Sequence, residues 1–413
     1  MQQGRNKKAP KPVKEIEVSE KHTKVKVIVL IVVLAIAIAA FTIGIVSCLS
    51  EDKGWHQVES TAGLDCSSDF TFYYYLEGGG TKGHTVLKGV TATYTQACYD
   101  AYRIFDAAEE HEGYNGVGYI NAHPNEDIVV DPALYNAFAS MKNANNRALY
   151  LAPIYGYYDS VLFSSNDGEA SSFYPIEETD AAETFNTVLG FALDSEVIEL
   201  ELLGNNTVRL NVSGEYRTFA YTNGIKSYID FYMLKNAFIA DYLAQKLKDG
   251  GCNIGTIASR DGFMRTLSNP ETSSSLGIFD FYDGNVYRAA NINFVGDVAA
   301  VRMRSFALGS ERGLYYTFSD GMTVSRFIDF ADGKVKTSMT GITSYGYGKT
   351  CADIALELYP VFVADEFDVD APKLLQDKGI YSVYCNDNIV LYNDETLVVA
   401  DLLSSPTYTA RLV

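Results

Sequence analysis

Asp353 and Glu357 stand four residues apart in an apolar run that reads as a helix, with Thr350-Cys351-Ala352 before it and Ile354 to Leu358 within it. That spacing puts both carboxylates on one helix face. Two carboxylates so placed can share a hard cation such as Mg²⁺, which takes oxygen ligands and keeps room for a substrate phosphate. The same residues have a plainer use, because Thr350 with Asp353 forms a capping box and an acid in a first helical turn is stabilising without metal. Both uses stay open from the spacing alone.

Other chemistry is thinner. Ser344-Tyr345-Gly346-Tyr347-Gly348-Lys349-Thr350 ends like a phosphate loop, but the first glycine of that pattern falls on Thr343, so the Walker reading fails. Gly78-Gly79-Gly80 follows an apolar segment and reads as a turn. The histidines are His22, His56, His84, His111 and His123, and no Gly-x-Ser-x-Gly elbow is present, which argues against a Ser-His-Asp hydrolase. Cys66, Cys98, Cys252, Cys351 and Cys385 lack CxxC or Cys/His ligand spacing and read as small core residues.

These groups need a scaffold, and the pattern supplies one of mixed α/β (α+β) class. Phe70 to Leu76 alternates as a strand, and Tyr94, Cys98, Ala101, Tyr102 and Phe105 recur at helical spacing over residues 92 to 108. Asp131-Pro132 announces a second helix, a third falls near 180 to 192, and Val197 to Leu203 with Val208 to Val212 forms a hairpin turning at Gly204-Asn205-Asn206. Leu234, Phe238, Tyr242 and Leu247 mark a helix stopped by Gly250-Gly251, and a strand from Asn253 to Ser259 follows. Further strands are expected over Gly262 to Leu267, Asn285 to Phe294, Tyr315 to Phe318, Met322 to Phe330, Ile380 to Tyr384 and Ile389 to Tyr392, with a helix from Thr350. No internal repeat or low-complexity linker breaks the run.

Charge and hydropathy divide the chain of 413 residues unevenly. It holds 33 Lys+Arg against 52 Asp+Glu, a net charge of −19. Residues 1–26 nevertheless carry Arg5, Lys7, Lys8, Lys11, Lys14, Lys21, Lys24 and Lys26 against only Glu15, Glu17 and Glu20. The remainder is strongly acidic, so nucleic acid is not an expected partner, since a phosphate backbone needs basic surface. Val27 to Cys48 carries no charged residue and matches the ~20 residues a helix needs to cross a bilayer. The basic flank stays cytoplasmic and everything from residue 50 onward lies outside. Ile45-Val46-Ser47-Cys48 also fits a lipobox, with lipidation at Cys48 as the alternative to an uncleaved anchor. The expected organisation is a basic cytoplasmic tail (1–26), a single-pass membrane anchor (27–48), a juxtamembrane linker (49–69) and one extracytoplasmic domain (70–413).

From about residue 70 to about residue 400 the order of segments resembles the FAD:protein FMN transferase (ApbE) family. The family run D-[LF]-G-[GA]-I-A-K-G-Y-x-V-D is similar to Asp230-Phe231-Tyr232-Met233-Leu234-Lys235-Asn236-Ala237-Phe238-Ile239-Ala240-Asp241. Both aspartates are present, the glycine pair is Tyr232-Met233, and the lysine place holds Asn236 with Lys235 beside it. The strand that ends in Gly-Gly near the flavin corresponds to Ile257 to Gly262, with Gly262 as its glycine. The run R-H-I-I-D-P-x-T-G is similar to Ser325-Arg326-Phe327-Ile328-Asp329-Phe330-Ala331-Asp332-Gly333, which puts Arg326 in the histidine's place. A guanidinium does not deprotonate near neutral pH and cannot replace an imidazole that moves protons. The metal-holding run T-A-D-A-L-S-T looks like Cys351 to Glu357, with Asp353 kept and Glu357 in the threonine's place. Tyr150-Leu151-Ala152-Pro153-Ile154-Tyr155 occupies the place of the S-G-G-A-F-D-x-T run.

The resemblance implies an ApbE-like flavin transferase fold, with Asp230, Lys235, Asn236, Asp241, Gly262 and Asp329 around the cofactor and Asp353 and Glu357 on Mg²⁺. Two functions follow as expectations. One is a Mg²⁺-dependent transferase that splits FAD and joins FMN to a Thr or Ser of an acceptor flavoprotein in a membrane electron-transport complex. The other is a non-catalytic relative that binds a flavin, nucleotide or protein at the outer membrane face.

Overall fold

The computed structural model describes residues 31–33, 51–160, 179–267, 273–309, 314–317 and 323–413. Apart from residues 31–33, which are helical, the expected anchor and Cys48 lie outside these. None of the described helices is long and apolar enough to cross a membrane. The chain divides into two compact units, Met1–Asp52 with Gly78–His84, and Lys53–Glu77 with Thr85–Val413. In the first, an antiparallel bridge joins Glu51 to Gly80.

The second unit is built on a sheet that has nine strands among the described residues. In spatial order these are Gly54–Val58, Phe70–Leu76, Gly255–Ser259, Phe263–Leu267, Val298–Arg304, Gly341–Tyr347, Tyr381–Asn386, Ile389–Tyr392 and Thr409–Leu412. All neighbours are antiparallel except the last pair. The edge strand Gly54–Val58 lies in the stretch expected to be a linker, and it pairs residue for residue with the strand from Phe70. Its five residues alternate imperfectly, which is why the sequence does not announce it.

Two helices cover one face. The first, α1 (Lys235–Asp249), packs on Gly255–Ser259 and Phe263–Leu267 with Phe238, Tyr242, Leu243 and Leu247 buried. The Gly250 N–H closes it onto Lys246 O, and Gly251 turns the chain away at φ +83°. The second, α2 (Cys351–Phe362), lies on Val298–Arg304 and Gly341–Tyr347 and against α1. A three-stranded antiparallel sheet of Ser273–Tyr282, Asn285–Val295 and Val398–Ala400 contributes a second core, and the strand Val298–Arg304 serves both. Ala299, Val301 and Met303 enter the core of the helices, whereas Val298 and Ala300 enter the core with Ile292 and Phe294. Val298 to Val301 is accordingly a run of apolar residues without alternation, as a strand buried on both faces requires.

Local signals hold where they are strong. Asp131 Oδ1 accepts from the Ala133 N–H at 2.7 Å ahead of the helix Pro132–Asn143. The hairpin Ile198–Gly204 and Thr207–Val212 turns through Asn205 and Asn206, both at positive φ (+49° and +57°). Two differences stand out. The helix expected over 92 to 108 begins at Gly80 and ends at Phe105. Among the described residues of the segment expected as one strand from Met322 to Phe330, only Thr323–Ser325 is strand. The chain then folds back on itself, because the backbone N–H of Asp329 donates to Lys334 O and that of Gly333 to Asp329 O.

Candidate functional site

A polar cleft of about 280 Å³ opens where five segments meet. Asp69 comes from the turn before the strand Phe70–Leu76, and Asp159 from the end of the helix Ala152–Tyr158. Asp230 to Asn236 lead into α1, Arg260 and Asp261 form the turn between two central strands, and Arg326 follows the strand Thr323–Ser325.

The Asp230 turn sets the floor. Asp230 Oδ1 accepts from the Tyr232 N–H at 2.9 Å, and Tyr232 sits at φ +47°. This is the left-handed region, costly for a residue with a Cβ by ~1–2 kcal/mol. The Tyr232 ring stacks on Tyr155 at 4.0 Å between centroids and 4° between planes. Its hydroxyl donates to Asp159 Oδ1 at 2.9 Å, while Arg326 Nη2 donates to the same oxygen at 2.8 Å. The guanidinium carbon of Arg326 lies 5.5 Å from the centre of the Tyr232 ring. Burial pushes the Tyr232 hydroxyl well above the ordinary phenol range, so it stays a donor. The chain therefore keeps a glycine-like backbone at Tyr232 and fills the adjoining space with its side chain.

Beside it, Asn236 is 8% exposed and donates from Nδ2 to Asp261 Oδ2 at 2.9 Å. Burial drives the Asp261 carboxyl up to about 6, against the opposing effect of the Ser259 hydroxyl and the Asn236 amide. Burial also raises the Asp230 carboxyl, and the charge of Lys235 works the other way. A second cavity, of about 640 Å³, is lined by Pro153, Ile154, Tyr155, Phe185 and Val188, and shares Asp159 and Asp230 with the cleft.

Thus Asp230, Lys235, Asn236 and Arg326 come together in one cleft, and five other expected residues sit elsewhere. Asp241 accepts from the backbone N–H groups of Cys351 and Ala352, both at 2.9 Å, and from Arg265 Nη1 at 2.5 Å. It ties α1 to the start of α2. Gly262 lies at φ +113°, where a Cβ would fall 2.2 Å from Arg302 O, so only glycine lets the two strands approach. Asp329 shapes its own loop, accepting from the Ala331 N–H at 2.8 Å and pairing with Lys336 Nζ at 2.7 Å. Asp353 is exposed and completes the capping box, with Asp353 N to Thr350 Oγ1 and Thr350 N to Asp353 Oδ2 both at 3.0 Å.

Glu357 pairs instead with Lys378 Nζ at 2.5 Å. Among the described residues no group of three or more His, Cys, Asp or Glu is arranged to hold a metal ion. As arranged, Asp353 and Glu357 are engaged separately and do not form the shared oxygen set that Mg²⁺ requires. Nor does the cleft suit a pyrophosphate, since its carboxylates (Asp69, Asp159, Asp230, Asp261) outnumber Lys235, Arg260 and Arg326.

Asp69, Asp159 and Asp261 carry no local signal in the sequence, since the fold alone assembles them. Tyr232 does carry one, as a bulky residue directly after Asp230-Phe231 where the resembling family has glycine.

Comparison with solved structures bears on the fold. The ApbE protein of Thermotoga maritima superposes with a TM-score of 0.54 at 13% identity, covering 85% of this chain and 98% of that one. The flavin transferase ApbE of Vibrio cholerae gives 0.55 at 10% identity with the same coverages, 85% and 98%. No protein-family model matches the sequence, and no characterised protein is significantly similar to it in sequence. The chain has the fold of the ApbE flavin transferases.

Proposed function

We propose that this protein is a membrane-anchored, extracytoplasmic ApbE-fold module that binds a ligand without transferring FMN. The observation that carries this reading is Tyr232. Its ring, stacked on Tyr155 and fixed by Asp159 and Arg326, stands where the motif of the resembling family has glycine. Three further features support it. Arg326, in the histidine's place, is bound to Asp159 and carries no removable proton. Asn236 takes the place of a lysine that would face phosphate. Asp353 and Glu357 satisfy a helix cap and a lysine.

The transferase reading keeps one observation in its favour, the 640 Å³ cavity lined by Tyr155 beside the cleft, which has the size and aromatic wall that a flavin ring needs. Titrating the full chain with FAD, with and without Mg²⁺, and assaying AMP release in the presence of Thr- and Ser-containing acceptors separates the two. The binding-module reading expects no Mg²⁺-dependent gain in FAD affinity and no AMP. Saturable FAD binding strengthened by Mg²⁺, with AMP released, refutes it and establishes the transferase. Tyr232→Gly is expected to gain flavin affinity over the parent chain, read by quenching of flavin fluorescence.

A further inference from the structure

We propose that the outer face of the strands Gly54–Val58 and Phe70–Leu76 rests on the lipid surface of the membrane that holds the chain, with Trp55, Tyr73 and Tyr75 at headgroup depth. This rests on the reading of Val27 to Cys48 as a membrane anchor and names the face of the domain that meets the bilayer. The two strands pair with Trp55 opposite Tyr75 and Gln57 opposite Tyr73. Their inner face belongs to the core, where Val58, Phe72, Tyr74 and Leu76 are buried. Side chains alternate along a strand, so Trp55, Tyr73 and Tyr75 share the face turned away from that core. Trp55 is 47% exposed and Tyr73 44%, and the Trp55 and Tyr75 rings meet edge to face at 5.3 Å.

Farther into the sheet this outer face is covered. Met264, Val298, Ala300 and Tyr345 pack there against Ile292 and Phe294 of the three-stranded sheet. The cover runs out at Ser274, whose Oγ lies 3.5 Å from Thr256 Oγ1. Among the described residues, the two strands beyond Gly255–Ser259 keep their aromatic side chains on the surface. The outer side of an edge strand that faces water is ordinarily polar or charged. Here it carries the single tryptophan of the chain, with two tyrosines beside it.

Chain length decides what such a face meets. The apolar run ends at Cys48, and Trp55 stands seven residues on. At ~3.5 Å per residue this connection reaches at most about 25 Å, so Trp55 stays close to the bilayer whether Val27 to Cys48 spans it or a lipid on Cys48 enters it. Trp and Tyr are the side chains that a membrane–water boundary favours, since each joins an apolar ring to one hydrogen-bonding group. Charge is not the attraction. The domain is acidic, Glu59 is exposed just past the strand, and Lys53 is the one base between Cys48 and Trp55. Ring burial therefore holds the face down, and the contact should not respond to salt.

The test uses Trp55 itself, because no other residue of the chain has an indole. The full chain is reconstituted at large lipid excess into phosphatidylcholine vesicles whose acyl chains are brominated either near the headgroup or near the chain ends, and the vesicles are floated before measurement. Tryptophan emission should fall at least twofold with the shallow bromine relative to unlabelled lipid, fall less with the deep one, and do so equally at low and high salt. Tyr73→Asp and Tyr75→Asp should each restore at least half of the lost emission with far-UV circular dichroism unchanged, and either alone suffices if the other does not fold. Tyr221→Asp, at a tyrosine 91% exposed on the helix Gly214–Thr222, should leave the quenching as it was. A floated chain whose emission ignores the shallow bromine, or whose quenching persists in full in the folded Tyr73→Asp and Tyr75→Asp variants, overturns the proposal. Emission that follows protein density in the bilayer and not the bromine gives the face to a second copy of the chain, and overturns it likewise. A chain that does not float with the vesicles fails the anchor reading, and the proposal with it, at a separate step, so the two failures are distinguishable.

Discussion

Replacing Asp261 by asparagine keeps the side-chain size and an acceptor oxygen for the Asn236 amide, and removes a carboxyl that burial holds at about 6 rather than near its ordinary 3.8. The groups that face it are the Asn236 amide, the Ser259 hydroxyl and the Asp69 carboxylate. A carboxyl raised in the folded state binds its proton more tightly there than in the unfolded chain. Its contribution to stability is therefore complete below 3.8 and is lost as the pH rises through 6. A shift of about two units at ~1.4 kcal/mol each amounts to ~3 kcal/mol between the two ends of that window. The parent chain carries this penalty at pH 7 and the asparagine variant does not. Urea denaturation of both chains at half-unit steps from pH 4 to pH 8 reads the difference directly. The stability of Asp261→Asn relative to the parent should rise across the window by roughly 3 kcal/mol and level off above it. A difference that is flat in pH, or that falls toward pH 7, refutes the account of Asp261 as a buried charge without compensation.

Other substitutions separate structural from chemical roles. Asp241→Ala leaves the buried Arg265 with only Asp297 at 3.5 Å and takes the acceptor from the Cys351 and Ala352 N–H groups at the start of α2, so it should cost ~3 kcal/mol in urea denaturation. Asp353→Ala removes half of the capping box and should cost ~1 kcal/mol, whereas Glu357→Gln loosens an exposed ion pair and should cost under ~1 kcal/mol. Neither change should alter the response to FAD and Mg²⁺ in the titration that tests the proposed function.

How much of this was legible depended on whether a signal was local. The Asp131-Pro132 start, the Gly204-Asn205-Asn206 turn, the stripe of α1 and the Thr350–Asp353 cap are each written within a few residues, and each is found. Val298–Arg304 and Gly341–Tyr347 are central strands with nearly every residue buried, and a segment without a polar face has no period to read. The edge strand Gly54–Val58 is short and borrows its register from Phe70–Leu76. Within the site, the Asp230 run and Arg326 were found through resemblance, and they do share a cleft. Asp69 and Asp159 join it from distant segments, and no pattern along the chain links them. Asp241, Gly262 and Asp329 show how one residue type serves two ends. Aspartate is as useful for capping a distant helix or shaping a loop as for touching a cofactor, and spacing does not distinguish these uses.

The pairing of Phe70–Leu76 with Gly255–Ser259 has a consequence for how the chain is made. An early strand sits one place in from the edge of the sheet, flanked by one neighbour made before it and one made past the midpoint of the chain. During synthesis from the N-terminus, the large sheet cannot begin to close until that later partner has emerged. Partners so distant along the chain also make closure slow. For a protein proposed to cross a membrane, delay is an advantage: the polypeptide stays threadable while it is exported, and it acquires its tertiary structure on the side where it works.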